Sequence, residues 1–306
     1  MLCNDHSQNS TWWTGRNRSP FNAKAKPIGL PIGLQLYTVG NEIRKDRDAT
    51  LKQIADIGYQ QVQLATGLAS DPIKLLKSIR GVGLECSSAH YSLAELLKET
   101  SQKVELSKNS GMKSVFCSFP WVRNPERLNT KPGDQMAMVK ALFESIDLDD
   151  WKWTAEQLNN IGRQMKSAGI LFGYHNHNLD FRKFGQVTAI DELLRLTDPD
   201  LVSWELDCGW ATVAGADPAA LIAKHGKRIP FLHVKDQRPQ DKPAWGVDGF
   251  ARSTEVGNGI VNWKQVFEAA KKTGLKGYFV EQEPPFIKPP LESAAISYNY
   301  LLSLKG

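Results

Sequence analysis

The stretch FGYHNHNLDF, Phe172–Phe181, decides how the rest of the chain is read. In an extended strand alternate side chains share a face, so Gly173, His175 and His177 point one way while Phe172 and Tyr174 point the other. Two imidazoles on one face of an otherwise apolar strand suggest a metal site or a proton-transfer site. The same spacing returns downstream in WELDCGW (Trp204–Trp210), FLHVKD (Phe231–Asp236) and YFVEQEPP (Tyr278–Pro285). Each places two polar groups at i, i+2: Glu205 and Asp207, His233 and Lys235, Glu281 and Glu283.

Around these stretches, short apolar runs alternate with amphipathic segments from Pro31 onward. Strands are expected at IGLQLYTVG (Ile32–Gly40), YQQVQLAT, LECSSAHY and SVFCSFPW, then at the four polar-ended stretches above. Helices are expected over Asp48–Ile57, Pro72–Arg80, Ala94–Asn109, Trp151–Ala168, a segment containing Asp191–Leu196, Pro218–His225, Trp263–Thr273 and Leu291–Leu304. Gly58, Gly111 and Gly274 act as stops, and Asp217-Pro218 reads as a cap followed by proline in the first turn. Two long connections, Val122–Asp150 and Gln237–Gly259, read as loops of the kind that cover a site or contact a partner. Eight strand–helix units imply an α/β fold with a parallel sheet closed into a single (β/α)8 TIM barrel, with functional side chains at the carboxyl ends of the strands. A doubly wound open sheet is the alternative, but no glycine-rich phosphate fingerprint follows the first strand.

Composition agrees with one large domain. The chain has 306 residues, 41% of them hydrophobic, enough to bury a full core. Its net charge of +5 is mild and comes without a Lys/Arg block, so no nucleic acid is expected as a partner. Cys3, Cys86, Cys117 and Cys208 show no CxxC; the last three fall in expected strands and read as buried free thiols, which leaves the redox compartment open. No apolar run is long enough to span a bilayer, and the start lacks a signal-peptide apolar region. The Leu2-Cys3 pair is a two-residue match to a processed lipoprotein start; cytoplasm and periplasm both stay open. Residues 1–30 read as a polar N-terminal extension, rich in Asn and Ser and carrying Trp12 and Trp13, ahead of a barrel over 31–306.

A lone strand-end histidine is more often structural than a ligand, and a lone aspartate opening a loop is usually a cap. His, Asp, His and Glu on strands five to eight, all at one barrel end, point instead to one divalent metal ion. Mixed imidazole and carboxylate ligation suits Mn, Zn, Co or Fe better than Ca. The candidate ligands are His175, His177, Asp207, His233 and Glu281.

The runs YHNHNLDF, ELDCGWATVAGADP, HVKD, EVGNGIVNW and VEQEPP, in this order and spacing, resemble the sugar phosphate isomerase/epimerase family built on the xylose isomerase-like TIM barrel. The resemblance extends from Ile32 to the end and implies metal ligation by Asp207, His233 and Glu281. Ketose epimerases of that family carry a glutamate on the fifth strand that binds metal and moves a proton; here the position holds His175 or, one pleat on, His177. That departure resembles the branch containing inosose dehydratases and lyases or hydratases of 3-keto-sugars. The resemblance implies a metal-dependent enzyme that abstracts the proton next to a sugar ketone, ending in isomerisation or epimerisation, or, as the alternative, in β-elimination. A carbohydrate-binding barrel without turnover is a further alternative. An endonuclease acting at abasic DNA sites shares the barrel, but needs more His and carboxylate ligands and a basic groove.

Whichever of His175 and His177 is not a ligand is the candidate base, with Glu281 or Glu283 as the other catalytic group. Lys235 shares the face of His233 and reads either as a hydroxyl or oxyanion contact or as an ion pair with Asp236 or Glu283. His90, ending the third strand, is a candidate hydroxyl contact. Tyr37 and Gln63 are expected to face inward on the first two strands, and Trp210 and Trp121 to offer a flat apolar wall. The Glu255-Val-Gly-Asn-Gly run is assigned turn geometry and no catalytic part. A small-molecule sugar is the expected partner, unphosphorylated because no arginine cluster awaits a phosphate; a homo-oligomer is left open.

Overall fold

Strand residues that alternate between a core-facing side chain and an axis-facing one build this molecule from the inside out. The computed structural model describes residues 27–304 apart from positions 66, 69 and 132. The expected N-terminal extension and Cys3 therefore lie almost wholly outside the described residues. Eight parallel strands close on themselves: β1 (Ile32–Gln35), β2 (Gln61–Leu64), β3 (Glu85–Tyr91), β4 (Ser114–Cys117), β5 (Leu171–His175), β6 (Ser203–Asp207), β7 (Phe231–Val234) and β8 (Gly277–Val280). Each pairs with its neighbour in sequence, and β8 returns to β1 through Ile32↔Tyr278 and Leu34↔Val280. The closed parallel barrel bears out the TIM-barrel expectation over an open sheet.

Outward residues such as Leu34, Val62, Val115, Tyr174, Leu206 and Val280 are buried under the surrounding helices. The axis is filled in layers, as such barrels require. At the amino-terminal end, Phe116, Phe231 and Phe279 form an apolar plug with ring centroids 5.6 and 6.1 Å apart. Glycines make room for it: a Cβ on Gly173 would sit 2.5 Å from the Phe116 ring, so this position in the histidine stretch excludes any side chain. Above the plug the inward residues are polar.

Several element ends differ from expectation, each for a local reason. β1 stops at Gln35, whose side chain accepts from Tyr37 N and opens a 3-10 turn over Leu36–Val39. Tyr37 consequently leaves the barrel interior and is half exposed, which corrects its expected inward position. β6 stops at Asp207, whose carboxylate accepts from Trp210 N at 2.7 Å and caps a short helix, Cys208–Val213. Cys208 is therefore helical; with Cys86 and Cys117 it is a buried free thiol, as expected. The presumed loop Val122–Asp150 contains a helix, Gln135–Ser145, capped by Asp134. The stretch after β7 contains a two-strand ladder, Asp236–Gln237 with Ser253–Thr254, and a 3-10 turn over Val247–Arg252. Expected caps hold at Asp217, which receives Ala219 N and Ala220 N, and at Gly58 and Gly111, both left-handed. Among the described residues no helix is long and apolar enough to cross a membrane.

Candidate metal centre and active site

Parallel register brings the polar pairs together. His175 lies beside Glu205, and Asp207 beside His233. Two layers result. The lower one is organised by Glu205, which is fully buried. Its Oε1 accepts from Gln63 Nε2 at 2.8 Å; its Oε2 lies 2.5 Å from His90 Nε2 and 3.3 Å from both His175 Nδ1 and His233 Nε2. Burial alone would raise the Glu205 pKa, but the His233 and His90 imidazoles hold its carboxyl below the usual range. Gln63 is filled in turn by Ser88 Oγ, Gln35 Nε2 and His233 Nε2 at 2.8, 2.8 and 2.6 Å.

The upper layer comprises Asp207, Lys235, Glu281 and Glu283. Lys235 Nζ is buried 2.6 Å from Glu283, 3.0 Å from Glu281 and 3.5 Å from Asp207, and sits 4.3 Å above the Trp210 ring. Of the two readings for Lys235, the ion pair is present, and Glu283 rather than Asp236 is its partner. Asp236 is committed elsewhere, accepting from Trp263 Nε1, Gly257 N, Val261 N and Gln237 N. That ties down the Glu255–Gly259 turn, in keeping with a structural role for it. Burial would lower the Lys235 pKa, but Asp207, Glu281 and Glu283 hold it above the ordinary lysine range. Burial pushes Asp207 up to about 7 against the pull of Lys235. Burial would likewise raise Glu281, yet Lys235 and His233 hold it well below the usual range. Burial opposes the charge on His233, but Glu205 and Glu281 together raise it to about 8.

The donor set fits a cation. His175, Asp207, His233 and Glu281 each offer a ligand atom, and these atoms lie within 4.8 Å of one another. His233 Nδ1 is 2.9 Å from Glu281 and 3.9 Å from Asp207 Oδ2, and Asp207 Oδ2 is buried without a hydrogen bond. Three carboxylates, Asp207, Glu281 and Glu283, surround the Lys235 ammonium, with the His233 imidazole beside them. A second set, His90, His175, Glu205 and His233, is equally close, but there Glu205 already accepts from Gln63 and sits against His90. His175 belongs to both sets and His177 to neither.

β5 ends at His175, and Asn176 explains the break. Its Oδ1 accepts from Asp207 N and Trp204 Nε1 at 3.0 and 2.9 Å, clamping the backbone of the neighbouring ligand. His177 is then fixed by Asp180, which accepts the His177 N–H at 2.9 Å and the Tyr174 hydroxyl at 3.0 Å. Burial pushes Asp180 up to about 8 against those two bonds. The His177 ring packs 4.0 Å from Phe119 and 5.6 Å from Trp210, and burial drives its pKa well below the usual histidine value. His175 is likewise lowered, to about 3, by burial and then by His233. His177 Nδ1 and Trp210 Nε1 are buried without a hydrogen-bond partner.

Trp210 is fully buried, its ring packed against Lys235 Nζ, His177 and Phe250, the last with centroids 5.0 Å apart. Trp121 packs against the hydrophobic core, its carbonyl receiving Thr154 Oγ1. His90 points at Glu205 in the lower layer, and Tyr37 stands outside the axis, its hydroxyl pKa raised by burial and by Glu283 and Glu281. Glu205, Asn176 and Asp180 were not singled out as site residues from sequence. The only signal for Glu205 was its place two residues before Asp207, on the same face.

The family model described as a xylose isomerase-like TIM barrel matches residues 51–302. The chain belongs to this family. Among relatives, the inosose dehydratase of Lacticaseibacillus casei is 30% identical over 50% of this chain and 54% of its own length, so the match spans about half of that protein. The inosose dehydratase of Geobacillus thermodenitrificans is 25% identical over 94% of this chain and 99% of its own. A crystal structure of a sugar phosphate isomerase/epimerase from Parabacteroides distasonis superposes with a TM-score of 0.70 at 24% identity, covering 93% of this chain and 96% of that one. The family resemblance and the expectation of an enzyme are thereby borne out.

Proposed function

We propose that this family member is a divalent-metal-dependent lyase that removes the proton next to a ketone of a cyclic polyol or sugar and expels a β-hydroxyl as water. The observation that carries the reading is the convergence of His175, Asp207, His233 and Glu281 on one point beside unpartnered His177 Nδ1. Relatives named inosose dehydratase, matched along nearly the whole chain, favour elimination over isomerisation.

His175, Asp207, His233 and Glu281 would hold the cation. Once bound it would supply Lewis acidity to a ketone and its neighbouring hydroxyl, which acidifies the adjacent C–H. His177, neutral because it is buried, takes that proton on an imidazole nitrogen. The C–O bond to the β-hydroxyl breaks, and the departing oxygen collects a proton from the Lys235–Glu283 pair and leaves as water. His177 and that pair are unlike groups, one an imidazole and the other an ammonium with a carboxylate. Such asymmetry suits an elimination, which needs one base and one acid, better than an epimerisation between two equivalent bases. Trp210 and Phe119 offer the apolar face of the ring a flat surface.

The test is to incubate manganese-loaded protein with an inosose and a panel of 3-keto-glycosides and ketoses in D₂O, following α-proton exchange by NMR and water loss by mass. Exchange with loss of water supports the reading. Exchange without loss assigns isomerisation or epimerisation, and neither on any panel member refutes an enzyme of this class.

A further inference from the structure

Hydrogen-bond polarity in the lower layer fixes a property of the upper one. A carboxylate only accepts, so the Gln63 atom 2.8 Å from Glu205 Oε1 must be the amide nitrogen. The second hydrogen of that nitrogen goes to Ser88 Oγ. Gln63 Oε1 must then face the other way, where it receives Gln35 Nε2 and lies 2.6 Å from His233 Nε2. An amide oxygen cannot donate, so His233 carries its proton on Nε2. Its Nδ1 edge therefore faces Glu281 Oε2 and Asp207 Oδ2, at 2.9 and 3.9 Å, and is the edge that can give up its proton and offer a lone pair to a cation. Lys235 Nζ already stands 3.0 and 3.5 Å from those two oxygens, so a divalent ion bound here would take the place of the Nδ1 proton rather than fill a gap between bare acceptors.

We propose that Glu205 is a positioning residue which, through the orientation of the Gln63 amide, dictates the tautomer of His233 and so builds the cation cage. The inference rests on the reading that Asp207, His233 and Glu281 hold a divalent ion. It assigns Glu205 and Gln63, which touch neither substrate nor cation, to the metal's affinity. Outer partners of this sort are worth about 10–100-fold in metal binding.

Glu205→Gln inverts the polarity. An amide nitrogen at this position meets either Gln63 Nε2, forcing the Gln63 amide to flip and present a donor to His233, or the imidazole of His90. The exchanged pair, Glu205→Gln with Gln63→Glu, restores an acceptor facing His233 Nε2. Manganese affinity of the full-length protein, measured by calorimetry, is expected to fall about 10–100-fold in Glu205→Gln and to recover to within a few-fold of wild type in the exchanged pair. A long-range 1H–15N spectrum of zinc-loaded wild type is expected to show His233 protonated at Nε2.

Affinity within about threefold of wild type in folded Glu205→Gln overturns the proposal, as does an exchanged pair that folds yet stays weak. His233 protonated at Nδ1 in the loaded wild type overturns it whatever the variants do, including a Glu205→Gln that fails to fold. Wild type that binds no cation at all removes the functional reading and this inference together, whereas tight wild-type binding with an indifferent Glu205→Gln removes the inference alone.

Discussion

In the lower polar layer Glu205 and Gln63 have a partner for every polar atom, whereas one layer up Asp207 Oδ2, His177 Nδ1 and Trp210 Nε1 make no hydrogen bond. Each layer has a dry centre: Glu205, Asp207 and His233 are all fully buried. Burial therefore does not separate scaffold from site here; satisfaction does. A buried polar atom without a partner costs about 1–3 kcal/mol, and natural chains keep such atoms where something else completes them. The lower layer spends its hydrogen-bonding atoms on orientation, and the upper layer keeps some of its own unspent.

The sharpest way to break this contrast is Glu281→Gln, which takes a carboxylate from the cage. Cation binding by calorimetry should fall beyond the roughly 10–100-fold that an outer partner costs, and turnover should vanish with it. A protein that binds sugar equally well after this change is a receptor rather than an enzyme. Next, His177→Gln should lower kcat by about 10²–10⁴-fold while leaving manganese affinity within a few-fold, since His177 lies outside both ligand sets. In the plug, Phe116→Ala should cost about 3–5 kcal/mol in urea unfolding and leave the metal affinity of the folded protein unchanged, which shows how far the apolar layer is uncoupled from the chemistry.

The smallest effect concerns Asp180, buried and held up to about 8. A carboxyl whose folded pKa lies above its unfolded value of about 3.9 binds more protons folded than unfolded between those limits, so it subtracts stability as pH rises from about 4 to about 8. Asp180→Asn, which can still accept from His177 N and Tyr174, should remove that slope. Unfolding midpoints of the two proteins across pH 4–8 should shift steadily in favour of the variant.

Much of this was legible in the chain itself. The i, i+2 polar pairs marked the ends of strands five to eight, because alternation places both members on the axis and nothing else in a barrel strand tolerates two charges there. The exact stops were not legible: Gln35 and Asp207 end their strands with side-chain caps that need only a turn of backbone, and Tyr37 and Trp210 were misplaced accordingly. The choice between His175 and His177 depends on Asn176 gripping the next strand, a contact across 31 residues. Glu205 and Gln63 lie 142 residues apart, so their partnership exists only once the barrel closes. The helix Gln135–Ser145 was hidden behind a stretch rich in Pro, Asn and Asp.

The ring stack of Phe116, Phe231 and Phe279 stoppers the axis at its amino-terminal end. With that end closed, any ligand of the polar layers above would have to arrive and leave by the carboxyl ends of the strands, and a small fragment released beneath a bound ring would wait until that ring departs or tilts aside. Traffic at that end, rather than bond breaking, would then be a natural place for the slow step.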